Sequence, residues 1–89
     1  MSDNADTLLE FPCDYDIKTF GRRETDFEAT VYRLVKPHVP ELAEGDLSTK
    51  ESSGGKYLSV TVSIRAESKA QLDAIYQALT DSGAVLMSL

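Results

Sequence analysis

The chain has 89 residues, 42% of them apolar, and this length fits one domain. Its formal net charge of -6 argues against nucleic-acid binding, which depends mainly on neutralising phosphates with Lys and Arg. Because Cys13 is the only cysteine, the chain can form neither an internal disulfide nor a CxxC site, and we expect a cytoplasmic protein. No apolar run reaches the roughly 20 residues of a membrane span, so we expect no membrane partner.

The first seven residues are polar and acidic, which predicts a flexible tail at residues 1–7 before a single domain at residues 8–89. The first strand is predicted from Cys13 to Phe20. Within it, apolar residues alternate with charged ones, and the apolar set is Cys13, Tyr15 and Ile17. The sequence Gly21-Arg22-Arg23 is expected to end this strand in a turn.

A first helix is predicted from Thr25 to about Pro37. Thr25 and Glu28 have the spacing of a capping box. One apolar stripe follows at helical spacing, made of Phe27, Val31, Leu34, Val35 and His38. Because proline lacks a backbone N–H, Pro37 should end the helix near Lys36 or kink it there.

Two strands joined by Gly54-Gly55 are predicted next. Leu47–Ser53 is almost entirely polar, as expected of an edge strand. Tyr57–Ala66 alternates cleanly and is predicted to be the central strand, with one face against the core. Its apolar row is Leu58, Val60, Val62 and Ile64, and its polar row is Tyr57, Ser59, Thr61, Ser63 and Arg65.

A second helix is predicted from Ser68 to Ser82, with Ser68 and Gln71 forming a capping box. Gly83 follows at the position where a left-handed residue commonly ends a helix. Ala84–Leu89 is predicted to be the last strand. The side chains expected to point into the core are Val85, Met87 and Leu89.

The predicted order is strand, helix, strand, strand, helix, strand, which is typical of an α+β, ferredoxin-like βαββαβ sandwich. Such a fold is a four-stranded antiparallel sheet with two helices on one face. The other face of the sheet has no internal cover.

Three short stretches make the chain resemble the YbeD-like family of small bacterial proteins: Leu-Leu-Glu-Phe-Pro at residues 8–12, Gly21 after the first strand, and Ser-Ser-Gly-Gly-Lys-Tyr-Leu-Ser-Val at residues 52–60. The resemblance runs from about Leu8 to Leu89. It implies a fold close to that of the ACT regulatory domains, which bind amino acids and pair through their sheets. It implies a bacterial cytoplasmic protein with no enzyme activity, and no catalytic residue to carry over. Pro37 departs from the family pattern and shortens the first helix.

The best candidate for a ligand contact is Gly21, Arg22 and Arg23, because two guanidinium groups between a strand and a helix suit a phosphate or carboxylate. The alternative is a solvated turn whose arginines pair with nearby acids. A ferredoxin-like acylphosphatase would also need an Asn to hold the attacking water, and the only Asn is Asn4, in the tail.

The remaining chemical motifs are weak. The stretch from Gly55 to Val62 faintly resembles an RNA-recognition strand but lacks the exposed aromatic residues that stack on bases. His38 and Cys13 have no partner at ligand spacing, so we expect no metal, no cofactor and no catalytic residue.

The leading hypothesis is a non-enzymatic regulatory or adaptor module that acts through a protein partner or as a homodimer. The residues predicted to form the interface are Tyr57, Ser59, Thr61, Val85, Leu86 and Met87. Partner strands are expected along Ala84–Leu89, which has no charged side chain, rather than along Leu47–Ser53. The alternatives are an ACT-like sensor of a small metabolite and an acylphosphatase-like hydrolase.

Overall fold

The fold is built on the pairing of two ten-residue strands, β1 (Cys13–Arg22) and β3 (Tyr57–Ala66). They pair antiparallel along their whole length. Two shorter strands complete the sheet: β2 (Leu47–Glu51) pairs with β3, and β4 (Met87–Ser88) pairs with β1. The strand order is therefore β2-β3-β1-β4, with β2 and β4 outermost among the described strands. The structure is a computed structural model that describes residues 9–23, 26–52 and 54–89.

Two helices connect the strands: α1 (Phe27–Val35) follows β1, and α2 (Lys69–Asp81) follows β3. The buried residues of both helices belong to one core cluster with the inward residues of β1 and β3, so both helices cover the same face of the sheet. This βαββαβ arrangement confirms the predicted ferredoxin-like fold. The opposite face, called the open face here, carries the even-numbered residues of β1 and the odd-numbered residues of β3.

The core follows the alternation of β3. Its members from the sheet are Ile17, Leu47, Val60, Val62, Ile64 and Ala66, and those from the helices are Phe27, Val31, Val35, Leu72, Ile75 and Leu79. The loop between α1 and β2 adds Val39 and Leu42, which the sequence pattern did not identify. Thr19 is the one buried polar residue among those described, and its hydroxyl donates to the carbonyl of Val60 at 2.9 Å.

The ends of α1 are set by its flanking residues. The helix begins at Phe27 with Asp26 as the N-cap residue, two residues later than expected. The predicted capping by Thr25 lies outside the described residues. The helix ends at Val35, and a 3₁₀ turn, Lys36–His38, carries Pro37. The expected effect of Pro37 is therefore confirmed.

The start of α2 is also close to the prediction. The hydroxyl of Ser68 accepts from the backbone N–H of Gln71 at 3.1 Å, as in a capping box. The Gln71 side chain reaches back one residue further than expected and accepts from the N–H of Glu67 at 2.7 Å. Its amide group donates to the carbonyl of His38 at 2.9 Å and joins α2 to the turn that follows α1.

The left-handed conformation expected at Gly83 is wrong. Among the described glycines only Gly55 has a positive φ, of 72°. Instead, Ser82 leaves the helix in an extended conformation, with φ of -83° and ψ of 126°, so the chain turns toward β4 without a left-handed residue.

Three strands differ in length from the prediction. β1 continues through Gly21 and Arg22, because these residues pair with Leu58 and Tyr57 of β3. β2 ends at Glu51 rather than at Ser53. β4 is reduced to Met87–Ser88, although backbone hydrogen bonds to β1 extend from Leu86 to Leu89.

The inward orientation expected of Met87 and Leu89 is wrong. Met87 lies opposite Phe20 and Ser88 lies opposite Thr19, which is buried in the core. Because directly opposed residues share a face, Ser88 is on the core side and Met87 is on the open face. Met87 and Leu89 are accordingly 54% and 63% exposed, whereas Val85 is half-buried against the core.

We expect Val62→Ala to lower the free energy of unfolding by about 1–3 kcal/mol, since Val62 is fully buried and truncation leaves a cavity. Thr61→Ala, on the open face of the same strand, should cost less than half as much. Urea unfolding of both variants measures the difference. Equal losses at the two positions would contradict the assignment of faces.

We expect Gly21→Ala to destabilise the protein by about 1–3 kcal/mol, because a Cβ there would overlap the ring of Phe27. Gly83→Ala is a matched control, since a Cβ at Gly83 meets nothing within 4 Å. Thermal unfolding of the two variants provides the comparison. A Gly21→Ala variant as stable as Gly83→Ala would show that Phe27 does not pack on Gly21 in this way.

Candidate functional site

A solvent-open depression of about 540 Å³ lies where the β1–β3 ladder ends. The described residues that line it are Arg22, Arg23, Gly55, Lys56 and Tyr57, and we refer to it as the basic cleft. Three of its five residues carry a positive charge, although the chain as a whole has a net charge of -6. The structure therefore brings two of the three predicted anion-contact residues together with a lysine that lies more than thirty positions away in the sequence.

The backbone pairing of β1 and β3 builds the basic cleft. Arg22 lies opposite Tyr57 in the last pair of the ladder. One residue further, the N–H of Arg23 donates to the carbonyl of Lys56 at 2.9 Å. Gly55 allows the sharp turn before Lys56, because its φ of 72° suits glycine and strains other residues.

Two contacts of its side chain position Arg23. One guanidinium nitrogen lies 3.2 Å from a carboxylate oxygen of Glu51 at the end of β2. The other donates to the carbonyl of Gly55 at 3.4 Å. These contacts hold the guanidinium at the wall of the cleft, although the pair with Glu51 is exposed and adds little to stability.

Gly21, the third residue of the predicted anion contact, does not line the basic cleft. It is buried in β1, where its missing side chain leaves room for the ring of Phe27. The backbone N–H of Arg23 is also engaged, since it pairs with Lys56. That N–H group is thus not available to an anion, and the anion contact predicted at this turn stays a prediction that depends on the side chains of the cleft.

The predicted interface residues fall in two separate parts of the sheet. Tyr57, Ser59 and Thr61 form one row along β3, in which Tyr57 is 42% exposed and the other two are half-buried. Leu86 and Met87 lie at the β4 edge. Since β1 separates β3 from β4, the two groups are not adjacent.

Several exposed apolar side chains lie close together at the β4 edge. Leu86, Met87 and Leu89 are 50%, 54% and 63% exposed, and they are three of the five large apolar side chains that are exposed among the described residues. Phe20 lies directly opposite Met87 on the open face and is half-buried. Of the predicted interface residues, Val85 packs partly against the core.

Charges on the open face are segregated along the strands. Near the basic cleft the charged residues of this face are Lys18, Arg22 and Lys50, each carried at an open-face position of β1 or β2. At the other end Asp14 pairs with Arg65 at 3.2 Å, and Asp16 lies beside them on β1. The basic end of the sheet is therefore also the end that carries the cleft.

Cys13 and His38, the two isolated candidates from the sequence, make contacts typical of structural residues. Cys13 is half-buried in β1 and packs against the core, while the carbonyl of His38 accepts from Gln71.

The hydroxyls of Tyr15 and Tyr76 lie 3.4 Å apart on the core side. Burial raises the pKa of Tyr76 above its ordinary value, and the hydrogen bond with Tyr15 raises it further.

Within residues 9–23, 26–52 and 54–89, no three His, Cys, Asp or Glu side chains are grouped as a metal site would require. In the same part of the chain no helix has both the length and the apolar content needed to cross a membrane.

Comparison with solved structures supports the fold. The chain is similar to the H. pylori protein HP0495, whose structure was determined in solution, with a TM-score of 0.67 and 18% sequence identity. The similarity covers 91% of this chain and 85% of the H. pylori protein. At this identity it shows the fold alone.

Comparison with curated proteins identifies close relatives. A UPF0250 protein of Chromobacterium violaceum is 44% identical over 89 residues, which cover all of both chains. A UPF0250 protein of Nitrosomonas europaea is 40% identical over 84 residues, covering 94% of this chain and 97% of the relative. Residues 6–89 match the family described as "Protein of unknown function (DUF493)". The chain therefore belongs to the DUF493 family of small YbeD-like bacterial proteins, for which no enzymatic activity is named.

Proposed function

We propose that this protein is a non-enzymatic regulatory or adaptor module that acts by pairing with a second copy of itself along the β4 edge. The observation that carries the proposal is the exposure of Met87 in the short outer strand β4 and of Leu86 and Leu89 on either side of it. Exposure of apolar side chains to water raises the free energy of the protein, and a partner that covers them lowers it.

The backbone of β4 supports the same surface. Leu89 exchanges two hydrogen bonds with Lys18 of β1, at 2.7 and 3.1 Å. Because successive residues of a strand direct their N–H and C=O groups to opposite sides, those of Ser88 point away from β1. An outer strand with such groups is a template for another strand, and a twofold axis beside β4 would pair it antiparallel with its own copy.

The other outer strand is less suited to pairing. β2 carries Lys50 and Glu51, and Glu51 is paired with Arg23. Charged side chains on an edge discourage strand addition. By contrast, Ala84–Leu89 contains no charged residue. The regulatory part of the proposal takes its motivation from the resemblance to ACT domains, which pair through their sheets.

Two alternatives have weaker support. A small-metabolite sensor is favoured by the basic cleft, which offers charged side chains to a ligand. An acylphosphatase-like hydrolase has no such observation in its favour, because the only Asn of the chain, Asn4, lies outside the described residues. Assaying hydrolysis of an acyl phosphate by the purified protein separates this alternative from the other two.

We expect Leu86→Lys to weaken self-association at least tenfold while the monomer stays folded, since Leu86 is half-exposed and a charge there opposes burial. Sedimentation equilibrium over a concentration series measures the dissociation constant. Circular dichroism and thermal unfolding confirm that the variant keeps its fold.

Ser48→Lys is the matched control, because it places the same charge at an exposed position of the opposite outer strand. It should associate as the parent does. A parent chain that stays monomeric at millimolar concentration would refute pairing through β4. Equal weakening by Ser48→Lys and Leu86→Lys would assign the effect to net charge rather than to this edge.

A further inference from the structure

The basic cleft has the composition of an anion site. Arg22, Arg23 and Lys56 contribute three positive charges to its wall, and none of the described residues that line it is acidic. These are three of the nine Lys and Arg residues in a chain that has fifteen Asp and Glu. Like charges brought together repel each other, so a bound anion would lower the electrostatic free energy of this end of the sheet.

The cations are placed by rigid parts of the fold. Arg22 is the last paired residue of β1, and Lys56 precedes the first residue of β3, with its carbonyl bonded to the N–H of Arg23. The Arg23 side chain is held by Glu51 and by the carbonyl of Gly55. A ligand would therefore meet cations whose backbone positions are already fixed, so less ordering entropy is lost on binding.

The open face adds a longer-range field of the same sign. Lys50 lies opposite Ser59, one open-face position along β3 from Tyr57. Lys18 lies opposite Thr61, one open-face position further. Both are outside the lining of the cleft, and they raise the positive potential over this end of the sheet, which favours the approach of an anion.

The side chains select a class of anion. Guanidinium groups bind phosphate and carboxylate oxygens through paired N–H donors, and a lysine adds a compact charge with three donors. Three cations are among the described residues that line the cleft, and one of them, Arg23, also contacts the Glu51 carboxylate. A phosphate monoester carries about -1.5 to -2 at neutral pH, so it interacts with several cations at once more strongly than a single carboxylate does.

The size and remaining wall of the cleft indicate a small ligand. Its volume of about 540 Å³ lies within the range of about 300–1,000 Å³ that is usual for small-molecule sites. Tyr57, 42% exposed, supplies an aromatic wall opposite Arg22. We propose that the basic cleft binds the phosphoryl group of a small phosphate monoester, with Arg22, Arg23 and Lys56 as the contacts. Binding there does not require association through β4.

The test uses inorganic phosphate and adenosine 5′-monophosphate as probes, with adenosine and chloride as controls at matched ionic strength. Thermal unfolding reports stabilisation, and amide chemical shifts in ¹H–¹⁵N spectra locate the probe. We expect phosphate and the monophosphate, but not adenosine or chloride, to raise the unfolding midpoint and to shift the amide signals of Arg22, Arg23, Gly55, Lys56 and Tyr57.

The double variant Arg22→Gln with Lys56→Gln should bind phosphate at least tenfold more weakly than the parent. Arg33→Gln with Lys69→Gln is the matched control, since it removes two exposed positive charges from the helices and should leave binding unchanged. Equal loss in both double variants would overturn the proposal in favour of generic charge screening.

Two further results would also overturn it. Phosphate that stabilises the parent no more than chloride does, or that shifts amides elsewhere, would show that the cleft is not a phosphoryl site. Succinate that shifts the same five amides at least as strongly as phosphate would assign the cleft to carboxylates.

Discussion

The antiparallel pairing of β1 with β3 is the interaction on which the rest of the structure depends. It runs over ten residue pairs, from Cys13 opposite Ala66 to Arg22 opposite Tyr57. Directly opposed residues share a face, so this register aligns the apolar rows of the two strands and gives both helices one surface to cover. A shift of one residue would turn Val60 and Val62 toward water and remove the surface against which α1 and α2 pack.

The same pairing explains why the candidate site lies at one end of the sheet. β1 does not stop at a turn before the arginines but carries Arg22 to the last pair of the ladder. The hairpin between β2 and β3 turns at Gly55 and brings Lys56 beside Arg23. A close packing contact makes this extension possible, because the absent side chain of Gly21 leaves space for Phe27 at the start of α1.

Coverage of only one face has a second consequence. The open face holds a row of hydroxyls along β3, which tolerate water, but it ends at β4 in exposed apolar side chains. Polar hydroxyls and apolar edge residues therefore lie on the same face, separated by β1. Among the described residues, exposed apolar side chains are concentrated in and beside β4, whereas positive charges line the cleft at the end of the β1–β3 ladder. Association and anion binding can therefore be tested independently.

The sequence by itself determined the order of the elements, the fold class and the inward face of β3, because these depend on local periodicity, on capping residues such as Ser68 and on the effect of Pro37 on a helix. It also identified Arg22 and Arg23 as candidate anion contacts. Lys56 was missed, since only the register of β1 against β3 and the turn at Gly55 place it beside Arg23. The prediction of which side chains of the last strand face the core was wrong for a similar reason. Val85, Met87 and Leu89 alternate as a core row would, yet Met87 pairs with Phe20 and therefore lies on the open face. Alternation in a short strand defines two rows, and only its tertiary partner decides which row is buried.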